Sequence, residues 1–173
     1  MNFNRRADMS QTPIIDSLNA DFAGLTTSEF RGQTRIVVVR DQLHDVLRTL
    51  RDEHGFDMLI DITCVDYLNY RVATERFGLV YLLARSDDMQ RLTIRVMLSE
   101  PDLSVPTVTD LWSGADWTER EVWDMFGITF DGHPDLRRIL MPEEFTAHPL
   151  RKDYPLQGRG ERHNFPVLTR EDG

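Results

Sequence analysis

The chain predicts an α+β fold: a mostly antiparallel four-stranded sheet with helices on one face, followed by an irregular Pro/Arg-rich C-terminal arm. Three observations carry this. Residues 58–64, 77–83 and 92–98 alternate in hydrophobicity with the two-residue period of half-buried strands. Leu43, Val46, Leu47 and Leu50 keep the spacing of one helical face. Pro134, Pro142, Pro149, Pro155 and Pro166, five of the eight prolines in the chain, fall after Gly127.

In chain order, Thr12-Pro13 reads as an N-cap and first helical residue, with Ile14, Ile15, Leu18 and Phe22 at helical spacing up to Gly24. Residues 35–39 are a β-branched run and predict a strand. Asp41 then caps a helix that stops at Gly55. In the three strands that follow, Met58, Ile60, Ile62 and Cys64 share one face. Phe77, Leu79, Tyr81 and Leu83 share the next, and Leu92, Ile94, Val96 and Leu98 the third. Asn69-Tyr70 and Asp87-Asp88 suit the turns between them. Thr107 to Asp110 and Asp116 to Glu119 are capping-box patterns and predict two short helices, the second ending at Gly127. Beyond it neither period persists, yet Leu136, Ile139, Leu140, Met141, Phe145, Leu150, Tyr154 and Phe165 supply apolar anchors. The expected division is a body, 1–127, and an extended interaction arm, 128–173, in one structural unit. The arm's anchors press onto its own domain or onto a partner.

Composition narrows the classes. At 173 residues, 40% apolar and 28% charged, the chain suits one globular domain. A net charge of −9 argues against a nucleic-acid partner. Cys64, the one cysteine, cannot make an intrachain disulfide or alone hold a four-thiolate cluster, and its apolar setting suggests a buried, inert thiol. Lys152 is the one lysine among the 20 basic residues, and an arginine bias suits permanent interfaces as well as a biased genome. The longest apolar stretch, 78–84, is too short to span a bilayer, and residues 1–6 lack a signal-peptide apolar region, so any membrane association goes through another protein.

Four constellations could carry chemistry. His133, Asp135, His148 and Asp153 are candidate metal ligands, but each imidazole precedes a proline and no HxxxH or HExxH spacing pairs them. Glu121 and Asp124 share a helix face, while acids at 119 and 121 also suit the helix dipole. Gly158-Arg159-Gly160 lacks the strand and lysine of a phosphate loop. The fourth is a long motif. It runs from Glu119-Arg120-Glu121-Val122-Trp123-Asp124-Met125-Phe126-Gly127-Ile128 through His133-Pro134-Asp135-Leu136-Arg137-Arg138-Ile139-Leu140-Met141-Pro142. It then continues in His148-Pro149-Leu150-Arg151-Lys152-Asp153-Tyr154-Pro155.

This stretch closely resembles the signature of the C subunit of bacterial NADH:quinone oxidoreductase (respiratory complex I), a family that includes the mitochondrial iron–sulfur protein subunit 3. The match runs nearly unbroken from Val105 to Gly158, with Ala147 where glycine is expected. The resemblance implies a peripheral-arm subunit on the cytoplasmic face of the bacterial inner membrane. There it would support assembly and electron transfer but not act as a catalyst alone. It implies no cofactor in this chain, although the assembled complex uses FMN, iron–sulfur clusters, NADH and quinone. Partners would be other peripheral-arm subunits, especially the quinone-site (D) subunit. Glu119, Arg120, Glu121, Asp124, His133, Pro134, Arg137, Arg138, His148, Arg151, Lys152 and Asp153 become the signature and subunit-interface residues. Of these, Glu119, Arg120, Glu121 and Asp124 would tie down the start of the arm, and the basic residues would meet carboxylates here or in a neighbour. The alternatives are the equivalent subunit of a membrane-bound hydrogenase or other quinone-linked dehydrogenase, and a stand-alone metal-dependent enzyme using His133 and His148.

Overall fold

A computed structural model describes residues 8–161, with side chains described from Pro13 onward. The elements are α1 (Asp8–Asp21), β1 (Thr26–Phe30), β2 (Gln33–Val38), α2 (Leu43–Asp52), β3 (Met58–Asp66), β4 (Phe77–Ala84), β5 (Arg91–Leu98), β6 (Ser104–Pro106), α3 (Ala115–Phe126) and β7 (Thr129–Asp131). The α+β class holds, but the main sheet has five strands in the order β1-β2-β5-β4-β3, and β2 runs parallel to β5. The extra strand, β1, is polar and exposed along its length, so it lacks the alternation that marks its neighbours. It exists because Arg31 and Gly32 both take positive φ, as a tight two-residue hairpin turn requires.

The core lies between one face of this sheet and the helices. Ile36, Ile62, Leu79, Tyr81, Leu83, Ile94 and Val96 meet Leu18, Leu43, Leu47, Leu50, Val122 and Met125 in one buried cluster. One neighbouring feature departs from expectation. Ile60 is an extra residue on β3, because Leu59 pairs with Leu83 and Asp61 with Leu82. This bulge turns Met58 and Ile60 outward, while Ile62 and Cys64 stay inside. Cys64 is buried, which pushes its thiol up to about 12. Gly55 ends α2 as expected, at φ +73 with the Phe56 amide on the Leu50 carbonyl.

Other boundaries moved for local reasons. Helix α1 begins before Thr12 and carries Pro13 inside it, where the missing N–H gives up one backbone hydrogen bond. Asp41 lies in a short 3-10 turn, Arg40–Gln42, that feeds α2 without a side-chain cap. Residues 107–110 form a turn rather than a helix. Helix α3 starts from Gly114, again without a side-chain cap, so Asp116 is in its first turn. After α3 the chain re-enters the core at once. Ile128 and Phe130 are buried, and β7 pairs in parallel with β6. No described helix is long and apolar enough to cross a membrane. Phe165, the last expected anchor, lies outside the described residues.

Candidate functional site

Helix α3 carries the start of the motif, and its faces divide the labour. Val122 and Met125 enter the apolar core, while Glu119, Arg120 and Asp124 are buried on the side that meets the arm. Three buried carboxylates organise the surroundings of α3 and β3: Asp124 and Asp66 hold described parts of the arm, and Glu119 holds the 107–110 turn.

The first is Asp124, whose side chain is fully buried. One of its oxygens, Oδ2, accepts the amides of Ile139, Leu140 and Met141 at 3.1, 2.8 and 2.9 Å. Three successive N–H groups converging on one oxygen form an anion cradle, with the anion supplied by the body. Arg138 pairs with Oδ1 and donates a second bond to the Ala147 carbonyl. Its guanidinium lies against the rings of Trp123 and Phe145 at 5.6 and 5.7 Å. Burial pushes the Asp124 carboxyl up, but the three amides and Arg138 outweigh it and hold it below the ordinary range. Arg120 completes this layer by donating to the carbonyls of Arg137 and Arg138.

The end of α3 is capped by the same arm. A helix leaves its last four carbonyls without partners. Here Gly127 N–H takes the Trp123 carbonyl, His148 Nδ1–H the Asp124 carbonyl, Leu150 N–H the Met125 carbonyl, and Arg151 the Phe126 carbonyl. Gly127 sits at φ +79, and a Cβ there would lie 2.7 Å from the His148 ring. Glycine at 127 is therefore required twice, by conformation and by the imidazole packed on it. Burial lowers the His148 pKa, and Arg138 and Arg151 nearby add to the effect.

The second carboxylate, Asp66, closes the far end of β3 and had no sequence signal. Its side chain is fully buried, and it accepts from Arg76 at 3.1 Å, the Leu68 amide at 2.9 Å and the Lys152 amide at 2.8 Å. Arg76 also reaches Glu100 and Asp153, and Arg151 pairs with Glu100. This alternating network ties β3, the β5–β6 loop and residues 151–153 together. Both arginines stack on Phe77. Burial opposes ionisation of Asp66, but its hydrogen bonds win and its pKa is lowered.

Glu119 is the third and behaves differently. It receives the Thr107 hydroxyl at 2.6 Å and the Val108 amide at 2.8 Å, which explains why 107–110 is a turn. Among the described residues, no arginine pairs with it. Burial therefore dominates and pushes its carboxyl up to about 7. The dipole-and-cap reading of Glu119 does not hold, since it serves the 107–110 turn rather than its own helix. His133 is 3.9 Å from Glu119. The His133 Nδ1 accepts the Asp135 amide, which leaves the neutral ring's proton on Nε2 to donate to the Asp116 carbonyl.

The motif residues thus separate into two groups. Glu119, Arg120, Asp124, His133, Arg138, His148, Arg151 and Asp153 have partners within the chain, as does the Lys152 backbone. Arg138 in particular meets its carboxylate at home, in Asp124, rather than across an interface. Glu121, Pro134 and Arg137 are exposed, as is the Lys152 side chain, and among the described residues the one ion pair of Arg137 is with Asp135 beside it. The two imidazoles do not share a site. One contacts the first turn of α3 and the other the last, about 12 Å apart along the helix. Among the described residues, no group of three or more His, Cys, Asp or Glu could hold a metal ion.

Residues 36–160 match the family described as the respiratory-chain NADH dehydrogenase 30 Kd subunit. The chain belongs to that family. It is 45% identical over 134 residues to the C subunit of the NADH-quinone oxidoreductase of Citrifermentans bemidjiense, covering 78% of this chain and 81% of the relative. Its structure resembles a trypsin-resistant fragment of Nqo5, with a TM-score of 0.65 and 37% identity, across 72% of this chain and 97% of the fragment. It also shares its fold with a chain of a membrane-bound sulfane sulfur reductase, an archaeal respiratory membrane complex. That match has a TM-score of 0.71 at 23% identity and covers 91% of this chain and 92% of the other.

Proposed function

We propose that this chain, a subunit of an NADH:quinone oxidoreductase, works there as a scaffold that presents a pre-folded arm to its neighbours. The observation that carries this is the cradle at Asp124. It fixes residues 137–141 on α3 from within the chain, leaving Arg137 and Leu140 exposed. An arm already ordered before assembly loses less conformational entropy on docking than a free segment does. The partner we infer for this surface is the quinone-site (D) subunit, and the setting is the cytoplasmic face of the bacterial inner membrane. The same reading has the chain hold no cofactor, with FMN, iron–sulfur clusters and quinone carried by other subunits.

A tagged full-length chain tests this. Copurification should recover subunits of the oxidoreductase, including the quinone-site subunit, and Arg137→Glu should reduce that recovery while leaving the free chain's melting temperature unchanged. Recovery of hydrogenase or sulfur-reductase subunits instead would move the chain to a related complex. Stoichiometric flavin or iron in the free chain would overturn the cofactor-free reading.

A further inference from the structure

The sheet face turned away from the helices carries a second surface. Its residues follow from the strand register. Ser28, Arg35, Thr93, Leu82 and Asp61 form one row across the five strands, and Thr26, Val37, Arg95, Val80 and Thr63 form the next. None of these belongs to the buried core. Phe30, at the hairpin end of the same face, is 50% exposed. Arg31 and Arg35 lie over its ring at 5.2 and 4.6 Å. Arg95 stacks on Tyr67 and bonds its hydroxyl, yet its Nε is buried with no hydrogen-bond partner among the described residues.

The charge of this face is opposite to that of the chain. Net charge is −9, and Arg76, Arg85, Arg138 and Arg151 each pair with a carboxylate. Among the described residues, no ion pair with a carboxylate is found for Arg31, Arg35 or Arg95. The one acid at an outward strand position is Asp61 on β3, two strands away from Arg95, about 10 Å by sheet spacing. Guanidinium groups held over aromatic rings can still offer N–H groups to a carboxylate, and a fork already fixed in place loses little entropy on binding one.

We infer that this outward face, around Arg31, Arg35 and Arg95, docks an acidic polypeptide segment of another subunit of the complex. Its carboxylates meet the three arginines, and an apolar side chain rests on Phe30 and Val37. The inference depends on the chain's being a subunit of such a complex and assigns a contact separate from the arm.

The test uses the full-length tagged chain in cells that make the whole complex. One sample carries Arg31→Glu with Arg35→Glu, and another carries Arg31→Lys with Arg35→Lys. A third carries a photo-crosslinking residue in place of Ser28, which is exposed on the same face. The charge reversal should lower recovery of at least one neighbouring subunit by about tenfold, while the lysine pair retains it. The crosslink should map to an Asp/Glu-rich peptide of that subunit. Melting of the free chain checks that the reversed variant is folded; if it is not, the Ser28 crosslink decides. Unchanged recovery with the charge-reversed variant overturns the inference and leaves the scaffold reading standing. So does a crosslink only to lipid, to a second copy or to nothing. A wild-type chain that recovers no oxidoreductase subunit overturns both.

Discussion

The body up to Phe126 and the arm after it are held by different forces. The body is an apolar sandwich in which alternating strands and the stripe of α2 exclude water from one continuous cluster. Its stability comes from buried area, which tolerates small changes in shape. Among the described residues of the arm, the buried apolar side chains are Ile128, Phe130 and Phe145. The arm is held instead by backbone amides on Asp124 and Asp66, by arginines on carbonyls, and by the free end of α3. Such contacts are directional and fix one register, so a segment with no regular period still takes one shape. This is how a proline-rich arm can be an ordered surface without a core of its own.

The widest separation of the two regions is expected from Asp124→Ala. Removing that carboxylate strands Arg138 and three amides, at roughly 3–5 kcal/mol for a broken buried pair. Thermal melting should fall strongly, and proteolysis should cut first within residues 137–150 while the sheet survives. A loss confined to the sheet would contradict the division. Ending the chain after Phe130 should act in the same direction. The shortened body keeps its sheet core but melts at lower temperature, as circular dichroism would report.

Glu119→Gln sharpens the comparison through pH. The Glu119 pKa is raised from 4.5 to about 7 by burial. Between those values the folded state holds a proton that the unfolded chain has released, so this group lowers stability as pH rises through that window. The span is up to about 3 kcal/mol. Glutamine can accept the Val108 amide and donate to the Thr107 hydroxyl, and it should flatten that slope in melts taken from pH 5 to 8. Asp124 and Asp66 have lowered values, so their contribution is present at neutral pH and is lost as pH falls into the acid range. An unchanged slope in the Glu119 variant would mean another group titrates there.

Gly127→Ala should cost about 1–3 kcal/mol, because the position has φ +79 and the new methyl meets His148. Pairing it with His148→Ala removes the clash but also the imidazole's bond to the Asp124 carbonyl, so the double variant should lose less than the sum of the two single losses. Tyr81→Phe is the small-effect control in the body. The hydroxyl of Tyr81 is buried with no hydrogen-bond partner among the described residues, so its removal should change stability by less than about 1 kcal/mol.

The body was legible because its elements are periodic. Residues 77–83 and 92–98 could only pack one way, and Gly55 and Gly127 marked their helix ends. Local signals misled where a single extra residue or a distant partner decided the outcome. The bulge at Ile60 breaks alternation without altering composition. The 107–110 turn looks like a cap for its own helix, but its free Val108 amide goes to Glu119, eleven residues on. Strand β1 is polar, and only the Arg31-Gly32 turn hinted at it. The motif identified the family and α3, yet no spacing rule reveals that Asp66 reaches the Lys152 amide across 86 positions of chain. Charge pairing over such distances is fixed by topology, which the arm's residue order does not encode locally.

Amide hydrogen exchange on the free, full-length chain tests the account most directly, because the isolated protein has no partner to order its arm. The amides of Ile139, Leu140 and Met141 should be protected to an extent comparable with those of α3, and Asp124→Ala should abolish that protection while sparing β4. Exchange of those three amides at unfolded-chain rates in the wild-type protein would contradict it, leaving the arm to be shaped only by its partners.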